Sequence, residues 1–252
     1  MLQQQTLDKL YQMKLNAFAD AVREQQSSPA ASDLTFEERL GLLVDREWDA
    51  RENRGLTRRL QIAHLKIPAC IEDIDFRAPR GLDKGVIAGL AECRFLESHH
   101  HVILTGPTGV GKTYLACALG NAACRRHRTV RYFRTDQLLT DIQMARLDGS
   151  YPNLMRRLEK TDLLILDDWG VTPFDQGQAR DLFDLLDDRT TRGALVITSQ
   201  APPDAWYDLI TAPQLADAIL DRVVHNAYKV ALSGESMRKR LARTAAQQAT
   251  EA

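Results

Sequence analysis

The sequence lacks the features that mark secreted and membrane proteins. It has four cysteines among 252 residues, and no two of them form a C-x-x-C pair. A framework of disulfides is therefore not expected, and buried reduced thiols are. No apolar run approaches the roughly 20 residues that a membrane-spanning helix needs. The start, MLQQQTLDKL, also lacks the apolar core of a signal peptide. These absences predict a cytoplasmic protein without a membrane partner.

Net charge is also small, because 33 basic residues nearly balance 34 acidic ones and leave a formal charge of -1. A nucleic-acid partner would have to be held by local basic patches, since the whole surface carries no strong positive field. The composition, 44% hydrophobic and 27% charged, is that of a globular protein with a sizeable core. A chain of this length accommodates one large domain, or one domain with a smaller appendage.

Residues 1–66 predict a small, all-helical N-terminal domain. Apolar residues between Leu7 and Val22 recur at helical spacing and predict one amphipathic helix, and the stretch 26–33 is typical of a loop. Thr35 and Glu38 then have the spacing of a capping box. The apolar stripe behind them predicts another helix, which continues through a basic stretch to residue 66.

Residues 67–252 show a different pattern, in which short apolar runs alternate with helical stretches. The runs are VILT (102–105), VRYF (130–133), LLIL (163–166) and LVIT (195–198). This alternation predicts an α/β domain with a parallel sheet flanked by helices. Runs that are apolar at nearly every position are typical of strands covered on both faces. A helical tail is expected at 213–225 and 235–248, and the pattern allows a short strand at YKVAL between them.

The stretch GPTGVGKT matches the phosphate-binding pattern G-x-x-x-x-G-K-[ST] and lies between a predicted strand and a predicted helix. Its glycines would let the backbone wrap closely, so that amide N–H groups and the start of the helix point at phosphate oxygens. We expect Lys112 to reach the β- and γ-phosphates of ATP, and the Thr113 hydroxyl to bind Mg²⁺. A glycine-rich turn without a ligand is the alternative. The predicted nucleotide-binding residues are Gly106, Pro107, Thr108, Gly109, Val110, Gly111, Lys112 and Thr113.

Two adjacent aspartates follow the apolar run in LLILDDWG. Burying a carboxylate is costly unless a partner compensates its charge. In P-loop folds the acidic end of a neighbouring strand faces the phosphates, so Asp167 is predicted to help hold Mg²⁺. Asp168 is then placed to orient or polarise the water that attacks the γ-phosphate. Without the P-loop upstream, the pair would indicate only a solvated strand end.

Five stretches, in this order, resemble the AAA+ ATPases of the DnaC helicase-loader group, and within it the IstB-like ATPases of insertion sequences. They are LTGPTGVGKT, LLILDDWG, LVITSQ, ILDRV and GESMRKR, and the similarity covers residues 35–243. The resemblance implies an AAA+ P-loop NTPase core over 67–252 with an abbreviated helical C-terminal lid. The helical N-terminal domain belongs to the same resemblance.

The resemblance also implies roles for residues outside the P-loop. Ser199 or Gln200 would be the polar sensor of the γ-phosphate or water. Arg222 matches the arginine finger that reaches a neighbouring subunit's nucleotide, and Arg238 matches the arginine that contacts nucleotide from the lid. Most AAA+ enzymes have Glu at the position of Asp168. Because Asp is shorter and small positioning errors reduce rates strongly, we expect slow basal hydrolysis.

The resemblance to IstB-like ATPases also implies partners. These are duplex DNA bound without strong sequence preference, a cognate transposase, and copies of the same chain with nucleotide at the subunit interfaces. DNA binding of this kind rests on phosphate contacts from Lys and Arg. Two stretches are candidates, the basic helix 46–66 and the insertion 136–160 between the second and third strands. For each, a solvated helix face is the alternative. The candidate residues are Arg54, Arg58, Arg59, Arg146, Arg156, Arg157 and Lys160.

Three other functions stay open at this point. One is a replicative helicase loader whose N-terminal domain grips the helicase. Another is a P-loop kinase for a small metabolite, which would use a lid arginine within one chain and has little need for a basic helical domain. The last is an interaction protein that binds ATP only to oligomerise. DNA-stimulated phosphate release would favour a DNA-bound ATPase or a loader over a kinase.

Overall fold

The computed structural model describes residues 2–189, 192–240 and 242–243. The chain divides into two compact units, Met1–Arg58 and Arg59–Ala252. The division falls inside a long helix, whereas the sequence predicted a domain boundary at residue 66, after that helix. The end of the helix belongs to the second unit, in which Arg59 Nε donates a hydrogen bond of 2.8 Å to the carbonyl oxygen of Cys124.

The first unit is helical and contains α1 (Leu2–Gln12), α2 (Asn16–Ser27), a 3-10 turn (Pro29–Asp33) and the start of α3 (Phe36–Ala63). The single helix predicted over 7–22 is wrong. Lys14 has a left-handed φ of 60°, and the Leu15 N–H bonds back to the carbonyl oxygen of Leu10 at 2.9 Å. This is the hydrogen bond that ends a helix in a left-handed turn.

The predicted capping box at the start of α3 is confirmed. The Glu38 N–H donates to the Thr35 hydroxyl at 3.3 Å, and the Thr35 N–H donates to the Glu38 carboxylate at 2.8 Å. Two backbone donors that the first turn of a helix leaves unpaired are satisfied in this way.

The second unit has the predicted α/β architecture. All four predicted strands are confirmed, and so is the short strand at YKVAL. Its helices are α4 (Lys84–Ala91), α5 (Lys112–Arg125), α6 (Thr135–Asp148), α7 (Tyr151–Glu159), α8 (Gln176–Arg189) and α9 (Pro213–Val224), and its strands are β1 (His101–Thr105), β2 (Val130–Arg134), β3 (Leu163–Trp169), β4 (Ala194–Ser199) and β5 (Ala227–Ala231). Residues 237–240 and 242–243 are helical, and the rest of the predicted last helix, from 244 on, lies outside the described residues.

The described strands of the second unit form a parallel sheet in the order β2-β3-β4-β1-β5. Every residue of β1 and β4 is buried, which agrees with their nearly continuous apolar sequences. Because all strands run in the same direction, the P-loop after β1 and the polar ends of β3 and β4 meet at one edge. Ligands bind at this edge in open α/β sheets.

Both faces of β3 are covered. On one face, Ile165 lies so close to α5 that a Cβ added to Gly120 would be 2.8 Å from its Cδ1 atom. On the other face, Leu164 and Leu166 belong to an apolar cluster with residues of α6, α7, α8 and α9. Trp169 ends the strand, fully buried, with its ring 5.3 Å from that of Trp206. Tight packing of this kind fixes β3 and the carboxylates at its end. In the part of the chain described here, no helix is long and apolar enough to cross a membrane.

Candidate active site

The P-loop has the backbone conformation that its glycines predict. Gly106, Gly109 and Gly111 have φ values of 141°, 90° and 102°, a region that favours glycine. Side chains are also excluded by contact, since a Cβ on Gly106 would collide with the carbonyl oxygen of Leu232, and one on Gly109 with the Ser236 hydroxyl. Helix α5 begins at Lys112, directly after the loop, so its first N–H groups face the space that the loop encloses.

Lys112 is nearly buried inside this loop. Its Nζ donates hydrogen bonds to the carbonyl oxygens of Gly106 at 2.6 Å and Pro107 at 2.9 Å. Burial lowers the pKa of the ammonium, and the nearby carboxylates of Asp168 and Asp167 oppose that shift. An ammonium has three donors, so these two bonds leave one for a ligand.

Asp167 is fully buried, and donors from several elements surround its carboxylate. The Thr113 hydroxyl lies 2.9 Å from Oδ1 and the Thr198 hydroxyl 2.6 Å from Oδ1, while the Tyr132 hydroxyl lies 2.6 Å from Oδ2. Lys66 Nζ is 3.4 Å from Oδ2 and supplies a positive charge. These partners offset the cost of burying a carboxylate at the end of an apolar strand.

The sequence predicted that Thr113 and Asp167 lie at one site. It did not predict the other partners of Asp167, which are Tyr132, Thr198 and Lys66. Thr198 is the one polar residue of the run LVIT, and Tyr132 is an uncharged polar residue next to Arg131 in the run VRYF. Such a residue in a buried strand needs a hydrogen-bond partner, which was the available signal. The pKa of Tyr132 is raised by burial and by its hydrogen bond to Asp167.

Asp168 differs from Asp167 in its exposure and in its backbone conformation. Its side chain is 34% exposed, and Arg134 Nε is 3.8 Å from its Oδ2 atom. Its backbone is left-handed, with φ of 60°, and its N–H donates to the Thr198 hydroxyl at 3.0 Å. One aspartate is therefore buried and surrounded by donors, while the other is accessible at the same edge. Such a pair can divide metal binding and proton chemistry between its members.

Of the two sensor candidates on β4, the structure leaves only one side chain accessible. Ser199 is buried, its hydroxyl donates to the carbonyl oxygen of Trp169 at 2.9 Å, and it accepts the Ala201 N–H at 3.2 Å. These bonds hold the turns that follow β3 and β4. Gln200 is exposed immediately after the strand, where it can meet a ligand.

Arg222 lies on α9, away from the P-loop in sequence, and is paired within the chain. Its Nη2 and Nε atoms donate to Asp187 at 2.6 and 3.0 Å, and its guanidinium lies 4.6 Å from the centre of the Phe183 ring. The side chain is still 25% exposed. Arg238 is also exposed, and the N–H of the preceding Met237 donates to the carbonyl oxygen of Gly109 at 2.9 Å. The segment that carries Arg238 therefore lies against the P-loop.

The DNA candidates fall into two groups. Arg54, Arg59 and Arg146 have strong partners within their own units: Glu47 at 3.2 Å, the carbonyl oxygen of Cys124, and Asp181 at 2.7 Å. Arg146 also stacks on the Tyr151 ring at 4.1 Å. The second group is exposed, although Arg156 contacts Asn153 at 3.3 Å. Its members are Arg58, Arg156, Arg157 and Lys160.

The residues at this edge of the sheet are suited to bind Mg²⁺ together with a nucleoside triphosphate. The hydroxyl hydrogen of Thr113 points to Asp167, which leaves the oxygen lone pairs free for a cation. Hydroxyl and carboxylate oxygens are the ligands that Mg²⁺ prefers, and substrate phosphates complete its coordination.

Comparisons with known proteins identify the family of the chain. The family model of the IstB-like ATP binding proteins matches residues 8–245. The chain is 46% identical over 239 residues to an insertion sequence ATP-binding protein of Sinorhizobium fredii, covering 95% of this chain and 98% of the relative. It is 44% identical over 215 residues to the ATP-binding protein of insertion sequence IS1162 of Pseudomonas fluorescens, covering 85% and 93%.

A crystal structure of the DnaC helicase loader superimposes with a TM-score of 0.56 over 65% of this chain and 96% of that chain, at 16% identity. At this identity the likeness concerns the fold alone. The second unit accordingly has the fold of an AAA+ P-loop domain. The family match covers nearly the whole chain, and the Sinorhizobium fredii relative is 46% identical. The chain therefore belongs to the IstB-like ATP-binding proteins of insertion sequences.

Proposed function

We propose that the protein is a Mg²⁺-dependent ATPase that oligomerises on duplex DNA and delivers this DNA to the transposase of its insertion sequence. The observation that carries the proposal is the group formed by Lys112, Thr113 and Asp167 at the carboxyl edge of the sheet. A phosphate-binding loop and a buried, hydrogen-bonded carboxylate 2.9 Å from its threonine make up a nucleotide site.

The residues divide the reaction between them. The P-loop N–H groups and Lys112 bind the phosphates, and Thr113 with Asp167 would hold Mg²⁺, which neutralises charge on the β- and γ-phosphates. Asp168 is the accessible carboxylate, so it orients the attacking water and favours removal of its proton. Gln200, exposed at the end of β4, contacts the γ-phosphate or that water.

Two further residues complete the site from outside the sheet edge. Arg238 approaches the nucleotide from the segment that lies on Gly109. Arg222 acts on the nucleotide of a neighbouring copy, where its positive charge offsets the charge that develops on the transferred phosphoryl group. A site assembled from two copies would link hydrolysis to oligomerisation.

DNA binding rests on exposed basic residues, since the net charge is only -1. Arg156, Arg157 and Lys160 on and after α7 are free to contact phosphates, and Arg58 offers a second contact in the first unit. Transposition is favoured over helicase loading because the relatives at 44–46% identity are named as proteins of insertion sequences, whereas the DnaC likeness concerns the fold.

The test is phosphate release by the purified full chain with Mg²⁺-ATP, with and without duplex DNA of unrelated sequences. We expect slow release that DNA stimulates regardless of sequence, and ATP-dependent assembly on that DNA in light scattering. Lys112→Ala, which removes the phosphate-binding ammonium, is the control for contaminating ATPases. Release that DNA does not change would contradict this function, and activity found only with a small phosphate acceptor would favour a kinase.

A further inference from the structure

The pairing of β3 with β4 is interrupted at the site. Leu166 pairs with Ile197 in regular parallel register, and the next pair is Trp169 with Ser199. Between these pairs, Asp167 and Asp168 on β3 lie opposite one residue on β4, Thr198. A β-bulge of this kind redirects the side chains of the bulged strand, and bulges are frequent next to active sites.

Asp168 is the residue that the bulge redirects. Its φ of 60° lies in the left-handed region, which is uncommon for residues other than glycine, although Asp adopts it more readily than most. The Asp168 N–H donates to the Thr198 hydroxyl at 3.0 Å, so that a side chain replaces the carbonyl acceptor that regular pairing would supply. This bond fixes the backbone from which the Asp168 carboxylate extends.

The same hydroxyl also fixes the other aspartate. Thr198 Oγ1 donates its hydrogen to Asp167 Oδ1 at 2.6 Å, on the oxygen that the Thr113 hydroxyl also contacts. Thr198 is completely buried. Its β-branched side chain has few rotamers, which keeps the hydroxyl in place between the two residues.

We propose that Thr198 is a positioning residue that aligns Asp168 with the phosphate site by joining its backbone to the buried carboxylate of Asp167. The proposal rests on the ATPase function proposed above. Thr198 touches neither nucleotide nor water in this role, and it is distinct from Gln200 two residues further on. Because Asp168 is shorter than a glutamate, its carboxylate depends on this alignment to reach the attacking water.

The test compares Thr198→Val, which keeps the shape and removes the hydroxyl, with Thr198→Ser, which keeps the hydroxyl. Because a misplaced group can reduce rates strongly, we expect turnover by Thr198→Val to fall about 10- to 100-fold. Its affinity for ADP with aluminium fluoride, which mimics the transition state, falls similarly, while ATP affinity stays within about threefold. Thr198→Ser recovers most of both losses.

Thr161→Val is the matched control, because Thr161 is also buried and its hydroxyl donates to a backbone carbonyl, that of Arg157, at 2.8 Å. This bond lies at the opposite end of β3. The control therefore loses a buried hydrogen bond, and its affinity for the transition-state analogue should stay unchanged. If Thr198→Val does not fold, Thr198→Cys, whose thiol is a poor donor and acceptor, replaces it with the same expected split.

Two results would overturn the proposal. One is wild-type turnover and analogue affinity in Thr198→Val. The other is an equal loss of ATP and analogue affinity, which would make Thr198 a residue of nucleotide binding. Failure of the underlying function looks different, because then the wild-type chain itself neither hydrolyses ATP nor binds the analogue.

Discussion

Asp167 and Asp168 show how far the environments of two adjacent, identical residues can diverge. Asp167 has lost all contact with solvent and accepts hydrogen bonds from three hydroxyl groups. Asp168 is turned out of the strand by its left-handed backbone and is partly exposed. A buried, fully hydrogen-bonded carboxylate suits metal binding, whereas an accessible one can interact with a water molecule.

Matched substitutions should therefore separate the two residues. Asp167→Asn replaces an acceptor of several hydrogen bonds and should weaken Mg²⁺-ATP binding and hydrolysis together. Asp168→Asn should leave ATP binding nearly intact and reduce turnover about 100-fold, because general-base contributions are of this order. Binding of a fluorescent ATP analogue across a Mg²⁺ titration, together with phosphate release, measures both effects. Equal loss of nucleotide binding in the two variants would contradict the division of roles.

At the residue scale, the sequence predicted those site residues that can be identified by their spacing within one segment. The P-loop and the aspartates were found because a fixed spacing within one segment is enough to identify them. Tyr132 and Thr198 could not be found in this way, since their contacts to Asp167 arise from the register between β2, β3 and β4. Lys66 lies in the segment after α3, and nothing in its neighbourhood along the chain indicates that it approaches Asp167.

At the scale of elements, apolar runs predicted β1 to β4, and β5 was only a possible strand. The helical period did not show where a helix ends. Leu7, Tyr11, Leu15 and Phe18 keep helical spacing across the break between α1 and α2. The break is made by Lys14, a residue with no special preference for a left-handed conformation. Periodicity therefore continued through a turn that only the backbone geometry reveals.

Arg222 on α9 provides a prediction about pairs of chains. Arg222→Ala should leave ATP binding by a single chain intact. It should reduce ATP-driven assembly and lower hydrolysis about 10³-fold or more, the usual effect of an arginine finger. Mixing Arg222→Ala with Lys112→Ala protein should restore some activity, because one supplies a working pocket and the other a working finger. No recovery in mixtures crosslinked between the two variants would give Arg222 a structural role, as the partner of Asp187.

His101, at the start of β1, provides a prediction about pH. Burial, and secondarily the charge of Arg189, lowers its pKa from the usual 6.5 to about 4. The neutral ring accepts the Leu195 N–H of β4 at its Nδ1 atom, at 3.2 Å. As pH falls from 6.5 to 4, His101 becomes protonated in the unfolded chain but stays neutral in the folded chain. Stability should therefore decrease over this window and level off below it, by at most about 3 kcal/mol.

The measurement is urea unfolding of the wild type and His101→Gln at several pH values between 7 and 4. Glutamine can accept the same N–H but does not titrate, so the difference between the two proteins isolates the histidine. A difference that does not change with pH would show that the pKa of His101 is the same in the folded and unfolded chains, which would contradict the lowered pKa.

At the scale of the whole molecule, the net charge of only -1 means that the proposed DNA binding would depend on a few exposed basic residues. Reversing Arg156 and Arg157 to Glu should weaken binding to any duplex and flatten the slope of log affinity against log salt, since each lost phosphate contact removes about one unit of slope. Arg58→Glu tests the first unit in the same way. Reversing Lys84 and Arg94, which are exposed on and after α4, is the control for net charge. If the control weakens binding as much as the test variants, the effect belongs to overall charge and not to α7.

The strand order determines when, during synthesis, the protein can first bind its nucleotide. β1 carries the P-loop, yet both of its neighbours in the sheet, β4 and β5, follow it along the chain. A nascent chain that has emerged only as far as Asp167 contains the P-loop and both aspartates. It lacks β4, the strand that lies between β1 and β3 in the sheet. It also lacks Leu232 and Met237. Their N–H groups donate to the carbonyl oxygens of Thr105, just before the P-loop, and of Gly109, within it. We therefore expect that ATP binding on the ribosome waits until nearly the whole chain has been made.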